Sequence, residues 1–282
     1  MKSKRRHRPI AVIITFIVLS IFAIFCLAPF IFMLQSSFKP GAEMIRNGIT
    51  INLDFESWNL NNYKLLYTAR DGIYLYWFRN SIIITALFTA CSLFFSSLVG
   101  YGLAAYDFKG KRLLFIIVLI VMTVPVEILI LPLYKLTINL KLIDTYAGVI
   151  LPFMVSPFAI FFFRQYAVGI PKDFIDAGRI DGCSEYSIYF RIMLPLMKPA
   201  FGAMTILQAM TSWNSFVWPL IVLRSDKMLT LQIGLQALIA PYGNNYDLLL
   251  SGAVMSIVPI VILFLFNQKA FISGLTVGGV KG

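Results

Sequence analysis

The residues equipped for chemistry are few, and their types and spacing point to recognition rather than to making or breaking bonds. Glu127 is the only charge in the run from Leu113 to about Tyr134. An ionisable group inside a candidate membrane span is costly and usually faces a cavity or a partner. Glu127 therefore either lines a passage or makes a structural hydrogen bond within a bundle. Gln208, Trp213 and Asn214 share a second uncharged run, Pro199–Leu223. They offer hydrogen bonds and a stacking face, while Trp218 also reads as an interfacial anchor. A third group, Asp176, Arg179, Asp181 and Glu185, sits in the polar segment between two apolar runs and presents charges for pairing.

None of these makes a catalytic or metal set. The single histidine, His7, lies in the basic stretch Lys2–Arg8. Cys26, Cys91 and Cys183 show no CxxC pairing, so neither a disulfide framework nor a metal site is implied. GxSG-with-histidine and HExxH patterns are absent, and no pair of aspartates lies within the apolar runs, which argues against an intramembrane protease. Lys109-Gly110-Lys111-Arg112 lacks the preceding glycine and the Ser/Thr of a phosphate loop. An ion-coupled secondary transporter is the alternative class, but it wants paired or repeated ionisable residues, and Glu127 stands alone.

The elements that must position these residues are membrane helices. The sequence is 59% hydrophobic and 13% charged, with a mean hydropathy of +0.81. A soluble domain carries about a quarter charged residues, so most of this exterior belongs in lipid. Apolar runs at about 10–34, 80–106, 113–134, 145–163, 199–223 and 248–268 are each near the ~20 residues that cross a ~30 Å hydrocarbon core. The reading is all-α, with six transmembrane helices in one domain over 10–272. It leaves a basic tail at 1–9, an inner loop at 164–198 and a C-terminal tail at 273–282. The first run is longer than a signal-peptide core and is followed by no small-residue cleavage site, so it reads as a retained helix. Fifteen of the 24 Lys and Arg fall on the side of the N-terminus, which places both termini in the cytoplasm. The net charge of +11 is dispersed in short clusters beside apolar runs. That suits anionic headgroups and membrane lipid, not nucleic acid.

The inner loop is too long for a simple turn. Asp173 with Asp176 three residues on has the form of a capping box, predicting a short helix from Phe174 to about Asp181. Gly182 stops it in a left-handed cap. Ser184 then N-caps a second amphipathic helix with Ile188, Tyr189, Ile192 and Met193 on its apolar side, leading to Pro195. Helix, glycine and helix make a compact knob, and the small Ala177 and Gly178 would let another protein's groove approach its backbone.

This segment resembles the EAA loop of binding-protein-dependent ABC importer permeases, in which Glu-Ala-Ala, three residues, Gly, nine residues and Ile-x-Leu-Pro recur. Asp176-Ala177-Gly178 stand at the triplet, Gly182 follows, and Ile192-Met193-Leu194-Pro195 close the pattern. Asp replaces Glu and Gly the second Ala. The rest of the chain is similar to the carbohydrate branch, the maltose-type smaller permease subunit. Leu131-Pro132-Leu133-Tyr134, Trp213 through Leu220 and the glycine-rich terminus Gly274–Gly282 carry that likeness.

The resemblance implies a type I importer permease in a bacterial cell membrane, moving a sugar or another solute. Asp176, Ala177, Gly178, Arg179, Ile180, Asp181, Gly182, Glu185, Ile192 and Pro195 would then form the ATPase-coupling loop. Glu127, Gln208, Trp213 and Asn214 would be the path candidates. It also implies the partners: a second, related permease subunit in a heterodimer, two cytoplasmic ATPase subunits that hold the ATP and Mg2+, and an extracytoplasmic solute-binding protein. No cofactor is expected on this chain.

Overall fold

The computed structural model describes residues 9–42, 58–239 and 245–276, and every regular element among them is helical. The basic tail with His7 and the glycine-rich end from Val277 onward lie outside the described residues. Among the described residues three helices are long and apolar enough to cross a membrane: α1 (Pro9–Ser37), α3 (Ile73–Ala105), entered through the short α2 (Asn61–Thr68), and α13 (Tyr246–Thr276).

Three further stretches pass the same length and composition test only as bent helix pairs. They are α4 (Lys111–Thr123) with α5 (Val126–Asn139), at 101°; α6 (Tyr146–Ile150) and its following turn with α7 (Pro157–Val168), at 48°; and α9 (Glu185–Leu196) with α10 (Lys198–Trp213), at 78°. The runs at 113–134 and 145–163, expected as spans, are thus each broken within. Two of these breaks have one cause. A residue before proline is pushed out of the α region, and Val124 (φ −79°, ψ 120°) precedes Pro125 while Ser156 (φ −93°, ψ 117°) precedes Pro157. The run Pro199–Leu223 is itself two helices, α10 ending at Trp213 and α11 at Val217–Val222, and the short α12 (Leu231–Ala237) follows.

The chain divides into two compact units, Met1–Gly72 with Leu238–Met255 and Ile73–Ala237 with Ser256–Gly282. In the first, buried Asn62 is the tie. Its amide donates to the carbonyls of Ser37 (3.0 Å) and Lys39 (2.8 Å), and its own carbonyl accepts from the Ser251 hydroxyl at 3.2 Å. In the second, α3 packs along α7 and α10, and α4 along α7. Gly100 sets the closeness of α3 and α7. A Cβ there would stand 2.8 Å from the Ile160 carbonyl oxygen and 2.9 Å from the Arg164 backbone nitrogen. Short side chains at such crossings let helix backbones approach in lipid.

Candidate functional site

The loop between α7 and α10 folds into the expected knob. Its first helix, α8, spans Asp173–Ile180. Gly182 follows at φ +76°, a value that favours glycine. The Cys183 N–H bonds the Gly178 carbonyl at 2.9 Å and the Gly182 N–H the Arg179 carbonyl at 3.0 Å. That pair satisfies the last carbonyls in a Schellman arrangement. Ser184 caps α9, its hydroxyl accepting from the Ser187 N–H at 3.3 Å. The start of α8 differs from expectation: it is entered from Lys172 with no side-chain cap, so the capping box does not form. Asp173 and Asp176 still lie in the first turn, where a carboxylate suits the helix dipole.

The knob has an apolar inside and an apolar tip. Ile175, Ile188, Tyr189 and Met193 are buried against Tyr101 near the end of α3. Within α9, residues Ile188–Met193 widen into a π turn, with the Leu194 N–H reaching back to the Tyr189 carbonyl. Tyr189 and Ser97 of α3 share a buried hydrogen bond of 2.6 Å. Gly178 points inward, a correction to the reading of it as a contact surface. A Cβ there would meet the Ile192 side chain at 2.7 Å and Ile188 at 3.1 Å. On the outside, Ile180 is 87% and Tyr186 79% exposed, while Ala177, Asp181 and Pro195 are also exposed.

The knob's charges are not all free for a partner. The Arg179 guanidinium donates to both oxygens of Glu185 (2.8 and 3.3 Å) and to Asp176 at 3.3 Å. The Tyr106 hydroxyl, just past α3, donates to Glu185 at 2.6 Å. Bonds from Arg179 and then Tyr106 hold the Glu185 carboxyl below its ordinary value, and Glu185 in turn raises Arg179. Burial, and then Glu185, push the Tyr106 phenol up, so it stays a donor at neutral pH. The Asp181 carboxylate, by contrast, makes no hydrogen bond or ion pair with the described residues.

A cavity of about 440 Å3 lies where the bent helices break. The first turn of α5 brings Glu127, the α6–α7 break brings Ser156, the end of α10 brings Gln208, and the α10–α11 break brings Ser215 and Phe216. Irregular backbone at membrane depth is tolerated where it lines a cavity or is buried in protein. Glu127 is exposed and forms no hydrogen bond or ion pair with the described residues, so the alternative of a structural bond is not what is found. Gln208 is buried and donates to the Ser156 hydroxyl at 3.1 Å, which steadies the α6–α7 break.

Two buried hydroxyls on the cavity wall, Thr85 of α3 and Thr230, have no hydrogen-bond partner among the described residues. Sequence reasoning missed both. The available signal was the X-Pro positions that break the helices around them. Trp213 and Asn214 do not line this cavity. The Trp213 indole donates to the Ser256 carbonyl at 3.1 Å and the Asn214 amide to the Met210 carbonyl at 3.0 Å. Trp218 is no interfacial anchor either: it is buried on the cavity wall and donates to the Gly148 carbonyl at 3.1 Å. Among the described residues no group of three or more His, Cys, Asp or Glu is placed to hold a metal ion.

A family model described as the binding-protein-dependent transport system inner membrane component matches residues 92–273, a stretch that includes the whole knob. The chain belongs to this family. Among the permease's relatives, the arabinooligosaccharides transport system permease protein AraQ of Bacillus subtilis (strain 168) is 56% identical over 98% of this chain and 99% of its own length. The lactose transport system permease protein LacG of Rhizobium radiobacter is 31% identical over the full length of both. Among solved structures, a chain from a bacterial ABC transporter involved in import of the acidic polysaccharide alginate superposes with a TM-score of 0.80. It is 25% identical and covers 95% of this permease and 99% of itself. The permease is therefore a multi-pass, all-helical membrane protein with the ABC importer permease fold.

Proposed function

We propose that this permease is one of two membrane subunits of an ATP-driven importer that takes up a sugar or oligosaccharide handed over by an extracytoplasmic binding protein. The single observation that carries the reading is the knob. It has an apolar, exposed tip, Ile180 and Tyr186, and an inner face packed on and bonded to α3. In this reading both termini and the knob face the cytosol, in line with the excess of Lys and Arg on that side.

The tip sits in a groove of one of two ATPase subunits, which hold the ATP and Mg2+; this chain hydrolyses nothing. Closure of the ATPase pair displaces the tip. The Tyr106–Glu185–Arg179 bonds and the Ser97–Tyr189 bond carry that movement into α3, while α9 carries it into α10. Both α3 and α10 wall the cavity, so its opening follows the knob. Hydroxyl, amide and carboxylate groups beside aromatic faces suit a polyhydroxylated cargo, and the arabinooligosaccharide and lactose permeases named above support a sugar. A related second permease completes the passage. In the reconstituted importer, Ile180→Asp together with Gly182→Pro should abolish cargo-stimulated ATP hydrolysis and uptake; unchanged values would remove the knob from the mechanism.

A further inference from the structure

A second feature lies beside the base of the knob, in a groove of about 640 Å3 between α4 and α7. Its end is lined by Lys111, Arg112 and Arg164, and no carboxylate lines it. Lys111 is paired with Asp107 at 3.0 Å. Arg112 and Arg164 form no hydrogen bond or ion pair with the described residues. Arg164 is also half-buried: its guanidinium lies 3.8 Å over the Phe115 ring, and its Nε is sealed from solvent without a partner. Phe115 is in turn stacked on Phe161 at 6.3 Å, so the guanidinium plane is held in place. A half-buried cation without an anion is costly. Beyond the cations the groove becomes apolar, through Leu113 and Ile116, and the neighbouring α4 face continues so through Ile117 and Ile120, all exposed.

We infer that this groove holds the headgroup of an anionic phospholipid. The phosphate sits between Arg112 and Arg164, and the acyl chains lie along Leu113, Ile116 and Ile120. Charge complementarity asks for an anion, and the apolar continuation asks for an amphiphile rather than free phosphate. Basic pockets between helices at a membrane face select acidic headgroups in this way. The site shares no residue with the cavity and is independent of the cargo.

The test uses full-length permease in nanodiscs of phosphatidylethanolamine and phosphatidylglycerol in equal parts, with retained lipid read by native mass spectrometry. Retained phosphatidylglycerol should exceed phosphatidylethanolamine, resist an excess of inorganic phosphate, and fall about fivefold for each of Arg112→Gln and Arg164→Gln. Lys64→Gln, an exposed cation outside the groove, should leave it unchanged. Arg112 is solvent-exposed, so its variant decides the matter should Arg164→Gln fail to fold. Equal retention of the two lipids, displacement by inorganic phosphate, or loss of the lipid when the second permease is co-assembled would each overturn the assignment, the last by making the groove a protein interface.

Discussion

Gly100 and Gly102 are two residues apart on α3 and ought to respond to the same substitution in opposite directions. At Gly100 an added Cβ meets the Ile160 carbonyl at 2.8 Å, the Phe163 Cβ at 2.8 Å and the Arg164 nitrogen at 2.9 Å, whereas at Gly102 nothing stands within 4 Å. Two of the three crowded atoms are backbone, so no rotamer change relieves Gly100→Ala and α3 must part from α7. Overpacking costs about 1–3 kcal/mol, and a clash with backbone belongs at the upper end. At about 2–4 °C per kcal/mol in a chain of this size, the thermal midpoint should drop by roughly 5–10 °C. Gly102→Ala instead gains about 1 kcal/mol of helix propensity and should raise it slightly. Fluorescence-detected size exclusion after heating in detergent reads both. Because Tyr101 is in the knob's core and α7 leads into the knob, Gly100→Ala should also cut uptake while Gly102→Ala leaves it intact. Equal midpoints for the two variants would refute the α3–α7 packing and everything built on it.

Other outcomes follow from the same geometry. Thr85→Val and Thr230→Val remove hydroxyls that have no partner, so stability should change by less than about 0.5 kcal/mol while the KM for cargo rises; a large stability loss with KM unmoved would contradict a cargo role. Trp213→Phe, which loses the bond to Ser256, should lower stability by about 1 kcal/mol without altering cargo preference in competition uptake. Glu185 is held below its ordinary value of 4.5, so its contribution is present above that pH and lost as pH falls through the lowered value. Hydrogen exchange of residues 173–188 should thus stay flat from neutral pH down to about 5, allowing for the intrinsic rate, and quicken only below it. Glu185→Gln should show the quickened rate at every pH.

How much of this was legible depended on whether the signal was local. The long helices α1, α3 and α13 announce themselves by uncharged length, and the knob by Gly182 and Ser184, whose caps need only neighbours in the chain. The knob's interior was not legible. Helical spacing shows that Asp176 and Arg179 share a face, but Tyr106, the third party to the Arg179–Glu185 pair, comes from the end of another helix. Gly178 reads as an open surface in the sequence because its smallness looks the same whether the crowding atom is a partner's or Ile192. The cavity failed for the same reason: Thr85 and Thr230 are brought together only by folding. The bends at Val124-Pro125 and Ser156-Pro157 were readable from proline's constraint on the residue before it. Proline alone does not decide between a bend and a span, because it is also tolerated inside unbroken membrane helices.

The claim on which the function rests is that the tip of the knob is gripped from the cytosol. Ile180→Cys, placed in a Cys26→Ser, Cys91→Ser, Cys183→Ser background, allows a membrane-impermeant maleimide to report it in oriented vesicles. The account predicts labelling only from the cytosolic face, protection when the ATPase subunits are co-assembled, and cross-linking from residue 180 to one of them. Labelling from the outer face, or full reactivity in the assembled importer, would contradict it.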